Sequence, residues 1–184
     1  MRWQLIGGWG VEASVLADLA RPGDACVNWH QAQPPAQPSW VLGWSLGGVV
    51  ASDWLAHPNV LGVMTLCTPA HFNEQVDMRT FARLRKAIQR DPKVALDRFA
   101  DWLLPSTPKE YLNPYQLLAG LDRLSTSHCA AQWRLSDKPQ RHWIGADDPL
   151  FQDSEQTALN GDHQIPMTHA AQIRQVMQEM FREL

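Results

Sequence analysis

Ser39-Trp40-Val41-Leu42-Gly43-Trp44-Ser45-Leu46-Gly47-Gly48-Val49-Val50 decides how this chain is read. Residues 39–43 form an apolar run that reads as a buried strand, and residues 46–56 read as a helix following with almost no gap. Between them Gly43-Trp44-Ser45-Leu46-Gly47 fits a Gly-x-Ser-x-Gly pattern. A serine on a sharp strand-to-helix turn has strained backbone angles, so flanking glycines are needed to remove side chains that would clash. The helix then starts at the serine, where its free amides and dipole favour developing negative charge. This strand-turn-helix context marks Ser45 as a nucleophile.

Outward from that turn the pattern alternates. Residues 3–6 are a short apolar run ended by Gly7-Gly8-Trp9-Gly10. Residues 11–20 place Val15, Leu16 and Leu19 at helical spacing and stop at Pro22-Gly23. Residues 25–29, 60–66, 141–144 and 156–159 read as further strands. Alternating strands and helices predict the α/β class with a mostly parallel sheet. From Arg79 to about Leu124 only helical patterns occur, broken by Pro92, Pro105, Pro108 and Pro114. A helical insertion over about 71–125 is therefore expected within one domain spanning 1–184. Residues 170–184 read as an amphipathic helix with Ile173, Val176, Met177, Met180, Phe181 and Leu184 on one face.

Composition sets outer bounds. The chain has 184 residues, 45% hydrophobic and 19% charged, with a net charge of −3, which suits one globular domain and disfavours a nucleic-acid binder. Cys26, Cys67 and Cys129 are scattered and odd in number, which excludes a disulfide scaffold. No His-Glu-x-x-His or comparable spacing occurs, so neither metal nor cofactor is expected. No long apolar run or leader-like segment is present, so a cytoplasmic monomer without membrane contact is expected.

A serine needs a base, and the base needs a group to orient it. On a strand-turn-helix nucleophile the chain order is serine, acid, histidine. Asp147 and Asp148 follow the strand at 141–144, and His163 lies in Asn160-Gly161-Asp162-His163 beyond the last strand. Asp148 fits Gly145-x-x-Asp better, with Asp147 remaining open. His163 is preferred to His169, which opens the last helix; His30, His57, His71, His128 and His142 have no motif around them. Two backbone donors are needed for an oxyanion. The Leu46 amide, after the nucleophile, and the Trp9 amide, in the glycine loop, are placed for that role.

These residues resemble the α/β-hydrolase superfamily, which implies a minimal form of that fold with a helical lid. The elbow and Gly8-Trp9-Gly10 look most like the pimeloyl-[acyl-carrier protein] methyl ester esterases of biotin biosynthesis, which carry His-Gly-Trp-Gly and Gly-Trp-Ser-Leu-Gly-Gly. Gly7 stands where that family has its first histidine, and the chain starts at what corresponds to the family's third strand. Residues 145–151 are similar to the family's Gly-x-x-Asp-x-x-Val turn, favouring Asp148, and residues 163–169 resemble its catalytic-histidine loop. The resemblance implies a serine carboxylesterase acting on a small acyl ester held by acyl-carrier protein.

Arg79, Arg83, Arg85, Lys86, Arg90, Lys93 and Arg98 fall among residues 79–98, which hold only Asp91 and Asp97 as acids. A basic stretch on an otherwise acidic chain steers an anionic partner. In the resembled family such lid helices grip acyl-carrier protein, so Arg79, Arg83, Arg85, Lys86 and Arg90 are the expected docking residues. A plain solvated helix face is the competing reading. Phe99 and Leu103, with Trp102, are expected along an acyl channel or as packing. A carrier-free short-chain carboxylesterase or thioesterase stays open, as does a non-catalytic binding protein of the same fold.

Overall fold

Strand β3 (Ser39–Trp44) is buried at every residue, as a strand packed on both faces must be. The computed structural model describes residues 1–151 and 156–183. Around β3 lie β1 (Trp3–Ile6), β2 (Ala25–Val27), β4 (Val60–Leu66), β5 (Gln140–Gly145) and β6 (Thr157–Leu159). They form one sheet in the order β2-β1-β3-β4-β5-β6, and every pairing is parallel. The order reverses between β1 and β3, so the carboxyl ends of these two strands open a crevice of the kind that holds ligands in parallel sheets.

Alternation along the strands divides the core. Ile6, Val41, Val63 and Ile144 face helix α1 (Leu46–Asp53) and the helices after β4. Leu5, Leu42, Trp44, Met64 and Trp143 face the other layer, made by a 3-10 helix (Ala13–Leu19), α7 (Ile165–Thr168) and α8 (Ala170–Met180). The 3-10 helix replaces the α-helix expected at 11–20. Its buried residues, Ala13, Leu16 and Leu19, recur every third position, which is the 3-10 repeat. The last helix ends at Met180, and Leu184 lies outside the described residues.

Between β4 and β5 run α2 (Phe72–Gln75), α3 (Met78–Arg90), α4 (Pro92–Leu103), α5 (Pro114–Ser125) and α6 (Cys129–Arg134). Two of the breaking prolines open helices instead of interrupting them. Pro92 and Pro114 begin α4 and α5 behind the caps Asp91 and Asn113, where a missing N–H costs nothing. Asn113 and Gln116 complete a reciprocal capping box. Helices α3 and α4 and the second half of α5 arch over the carboxyl end of β3, where Ser45 follows.

Candidate active site

The turn after β3 puts Ser45 at φ 55° and ψ −120°, a left-handed conformation that a side-chain-bearing residue adopts only under constraint. The constraint comes from backbone crowding. A Cβ on Gly43 would overlap the Gly47 carbonyl, and one on Gly47 would overlap the Ile6 carbonyl of β1. The Ser45 amide donates to the Leu66 carbonyl at 2.8 Å, tying the turn to β4. Ser45 thereby stands at the floor of a cavity of about 380 Å³.

Asp148 and His163 arrive from the neighbouring strand ends. The Ala146 amide donates to Leu159 and the Asp147 amide to Gly161, locking the loop after β5 against the loop after β6. Asp148 Oδ1 accepts from the Leu150 amide at 2.8 Å and the Phe151 amide at 3.2 Å. Its Oδ2 lies 2.7 Å from His163 Nδ1. Both side chains are buried. Burial raises the Asp148 pKa, but His163 and the two amides outweigh it and hold the carboxyl below its usual value. Asp147 is exposed, and His169 is half-buried against Thr168, so neither competes for this geometry. A carboxylate on Nδ1 fixes the tautomer and leaves Nε2 free to take a proton.

His163 and Ser45 line the same cavity. Among the described residues no hydrogen bond joins them; such contacts often tighten only when substrate binds. The Trp44 indole, beside the serine, donates to the His163 carbonyl at 2.9 Å and pins the histidine loop to the elbow. Leu46 opens α1, so its amide has no carbonyl one turn back. The Trp9 amide makes no backbone hydrogen bond among the described residues. A Cβ on Gly8 would stand 3.4 Å from Ser45 Cβ, so the glycine loop runs against the serine. The Trp9 ring donates to the Leu117 carbonyl of α5 at 2.8 Å and meets the Phe99 ring edge-on at 5.2 Å.

The cavity walls are mainly apolar and include Phe99, Leu103 and the half-exposed Trp102; Thr80, Arg83 and Arg98 bring polar groups from the helical arch. The Leu46 side chain packs in the core, leaving its backbone as the group nearest the site. Arg79, Arg83, Lys86 and Arg90 are exposed on α3 and make no ion pair among the described residues. Arg85 differs: it is half-buried and ion-paired with Asp122, tying α3 to α5.

Two features near the pair have no signal in the sequence. One is the Trp44 clamp. The other is Cys67, at the end of β4 with φ 48°, whose Sγ lies with the Asp148 carboxylate and a His163 nitrogen in a group within 4.8 Å of one another. Burial and the Asp148 charge push its thiol pKa well up. Both contacts span large sequence separations, beyond the reach of local spacing.

No protein-family model matches the sequence, and no curated protein does either. Solved structures do. A carboxylesterase from the ammonia-oxidizing Thaumarchaeon Nitrososphaera gargenis is similar at TM-score 0.67 and 13% identity, over 100% of this chain and 92% of that one. A bromoperoxidase from Bacillus anthracis is similar at 0.66 and 12%, over 98% and 91%. A lipase-esterase related protein from Clostridium acetobutylicum is similar at 0.65 and 14%, over 97% and 93%. At such identities the likeness speaks for architecture, and with the parallel sheet and its helical arch it establishes that this chain has the α/β-hydrolase fold.

Proposed function

We propose that the protein is a serine carboxylesterase that hydrolyses the methyl ester of a pimeloyl chain carried on acyl-carrier protein, in biotin biosynthesis. The observation that carries the hydrolase reading is the buried Asp148–His163 pair opening onto the same apolar cavity as Ser45 on its strained turn. His163 Nε2 takes the serine proton as Ser45 Oγ attacks the ester carbonyl. The Leu46 and Trp9 amides hold the oxyanion. The imidazolium, steadied by Asp148, returns its proton to the departing methanol. Water activated by the same nitrogen then releases the carboxylate.

Ser45→Ala should lower kcat by on the order of 10⁴-fold or more without moving the thermal unfolding midpoint. A fluorophosphonate probe should label the wild type and not the variant. Hydrolysis surviving in a pure Ser45→Ala sample would sink the assignment, and a wild type that escapes the probe would favour a non-catalytic binding protein.

The carrier reading is supported by the exposed cations of α3, of which Arg83 lines the cavity itself. Replacing Arg79, Arg83 and Lys86 together with Gln should raise KM for the carrier-linked methyl ester by about ten-fold or more, leaving p-nitrophenyl acetate nearly unchanged. Equal losses on both substrates would favour the carrier-free short-chain esterase or thioesterase. The Arg85–Asp122 pair is the observation on the side of that second reading, because it already engages one of the cations.

A further inference from the structure

We infer that Cys67, Asp148 and His163 form an inhibitory site for a borderline-soft divalent cation such as Zn²⁺ or Cd²⁺. Three loops, after β4, β5 and β6, bring one thiol, one carboxylate and one imidazole together with ligand atoms within 4.8 Å of each other. All three residues are buried, and His163 also lines the cavity, which gives an ion its way in. Sulfur, imidazole nitrogen and carboxylate oxygen are the donors that Zn²⁺ and its heavier congener select. The charges also close. One dication, one thiolate, one carboxylate and one neutral imidazole sum to zero, the condition a buried site demands. The Asp162 carbonyl oxygen, 3.8 Å from Cys67 Sγ, offers a fourth ligand atom beside the thiol.

Binding is a proton exchange. Cys67 loses its thiol proton to solvent as the metal–sulfur bond forms. The proton between His163 Nδ1 and Asp148 Oδ2 gives way to the ion, and neutral imidazole carries it instead on Nε2. One proton leaves per ion bound and nothing is oxidised or reduced. An Nε2 that already holds a proton cannot accept the one from Ser45, so the ion silences the site. This consequence rests on the proposed hydrolase reading, whereas binding of the ion does not.

The test uses Cd²⁺ on the full chain in a Cys26→Ser background, because that other thiol is exposed. Two signals are followed: ultraviolet cadmium–thiolate charge-transfer absorption, and hydrolysis of a chromogenic short ester. One ion per chain should raise the absorption and stop hydrolysis in step, with both reversed by a chelator. Cys67→Ser and Cys67→Ala should hydrolyse the ester normally but need about ten-fold or more Cd²⁺ for inhibition, without the absorption. No absorption in the parent protein, or inhibition of the Cys67 variants at the parent's concentration, overturns the site. A parent that hydrolyses no ester defeats the functional reading alone, and the absorption still decides the metal site.

Discussion

Ser45 is held at a backbone geometry costing on the order of 1–3 kcal/mol. Glycine takes such angles freely, so Ser45→Gly should gain about 1 kcal/mol of stability in urea titration while losing all turnover. A variant no more stable than the wild type would mean that the turn is relaxed. The elbow is legible in the sequence because its demands are local: two glycines, a strand before, a helix after. The acid is only half legible. Asp147 and Asp148 are neighbours of one type, and what separates them is which carboxylate the loop turns inward onto His163 and the Leu150 and Phe151 amides. Trp44 and Cys67 leave no local trace, since their partners come from the far end of the chain.

At the scale of elements, the linker between α4 and α5 is stitched to the glycine loop. The Glu12 amide donates to Pro108 at 3.2 Å and the Glu110 amide to Gly10 at 2.9 Å, while Val11 and Lys109 form an antiparallel bridge. The Glu110 side chain lies under this stitch, accepting from Asn28, with His30 Nδ1 at 3.7 Å and Glu12 nearby. Burial, aided by the Glu12 charge and opposed by the Asn28 hydrogen bond, lifts Glu110 from 4.5 to about 7. A raised acid stabilises the fold below its unfolded pKa, and that contribution is lost as pH rises through the folded one. Relative to wild type, Glu110→Gln should therefore gain on the order of 2 kcal/mol between pH 4.5 and about 7, read from urea midpoints. A difference that stays constant with pH would contradict the buried acid. The helices around this linker are legible from spacing and prolines, but the 3-10 helix is not, because Leu16 and Leu19 satisfy both repeats.

Across the whole molecule the sheet separates two cores, and the candidate site spans the carboxyl ends of β3, β5 and β6, beside the point where the strand order reverses. His142 on β5, stacked on Trp133 at 3.8 Å and bonded to Thr65, is pushed by burial from 6.5 down to about 4. The unfolded chain binds this proton first, so stability is full above 6.5 and falls as pH drops toward 4. Glu110 acts in the opposite sense over much of the same window, so the wild type should show a flatter profile than either effect alone. Against His142→Phe, the wild type should lose on the order of 3 kcal/mol from pH 6.5 to 4, measured by urea unfolding. Parallel profiles would remove His142 from the account. Class and strand alternation were readable from the alternating segments, whereas the packing of the arch on the sheet depends on pairings between distant residues.

Trp9 spans two parts of this architecture: its indole is fastened to the Leu117 carbonyl on α5, and its backbone neighbour Gly8 runs against Ser45. A shift of α5 would carry the Trp9 ring with it, and with the ring the glycine loop beside Ser45. The turn that carries Ser45 and the helices above it are therefore not independent parts, because one indole couples the two.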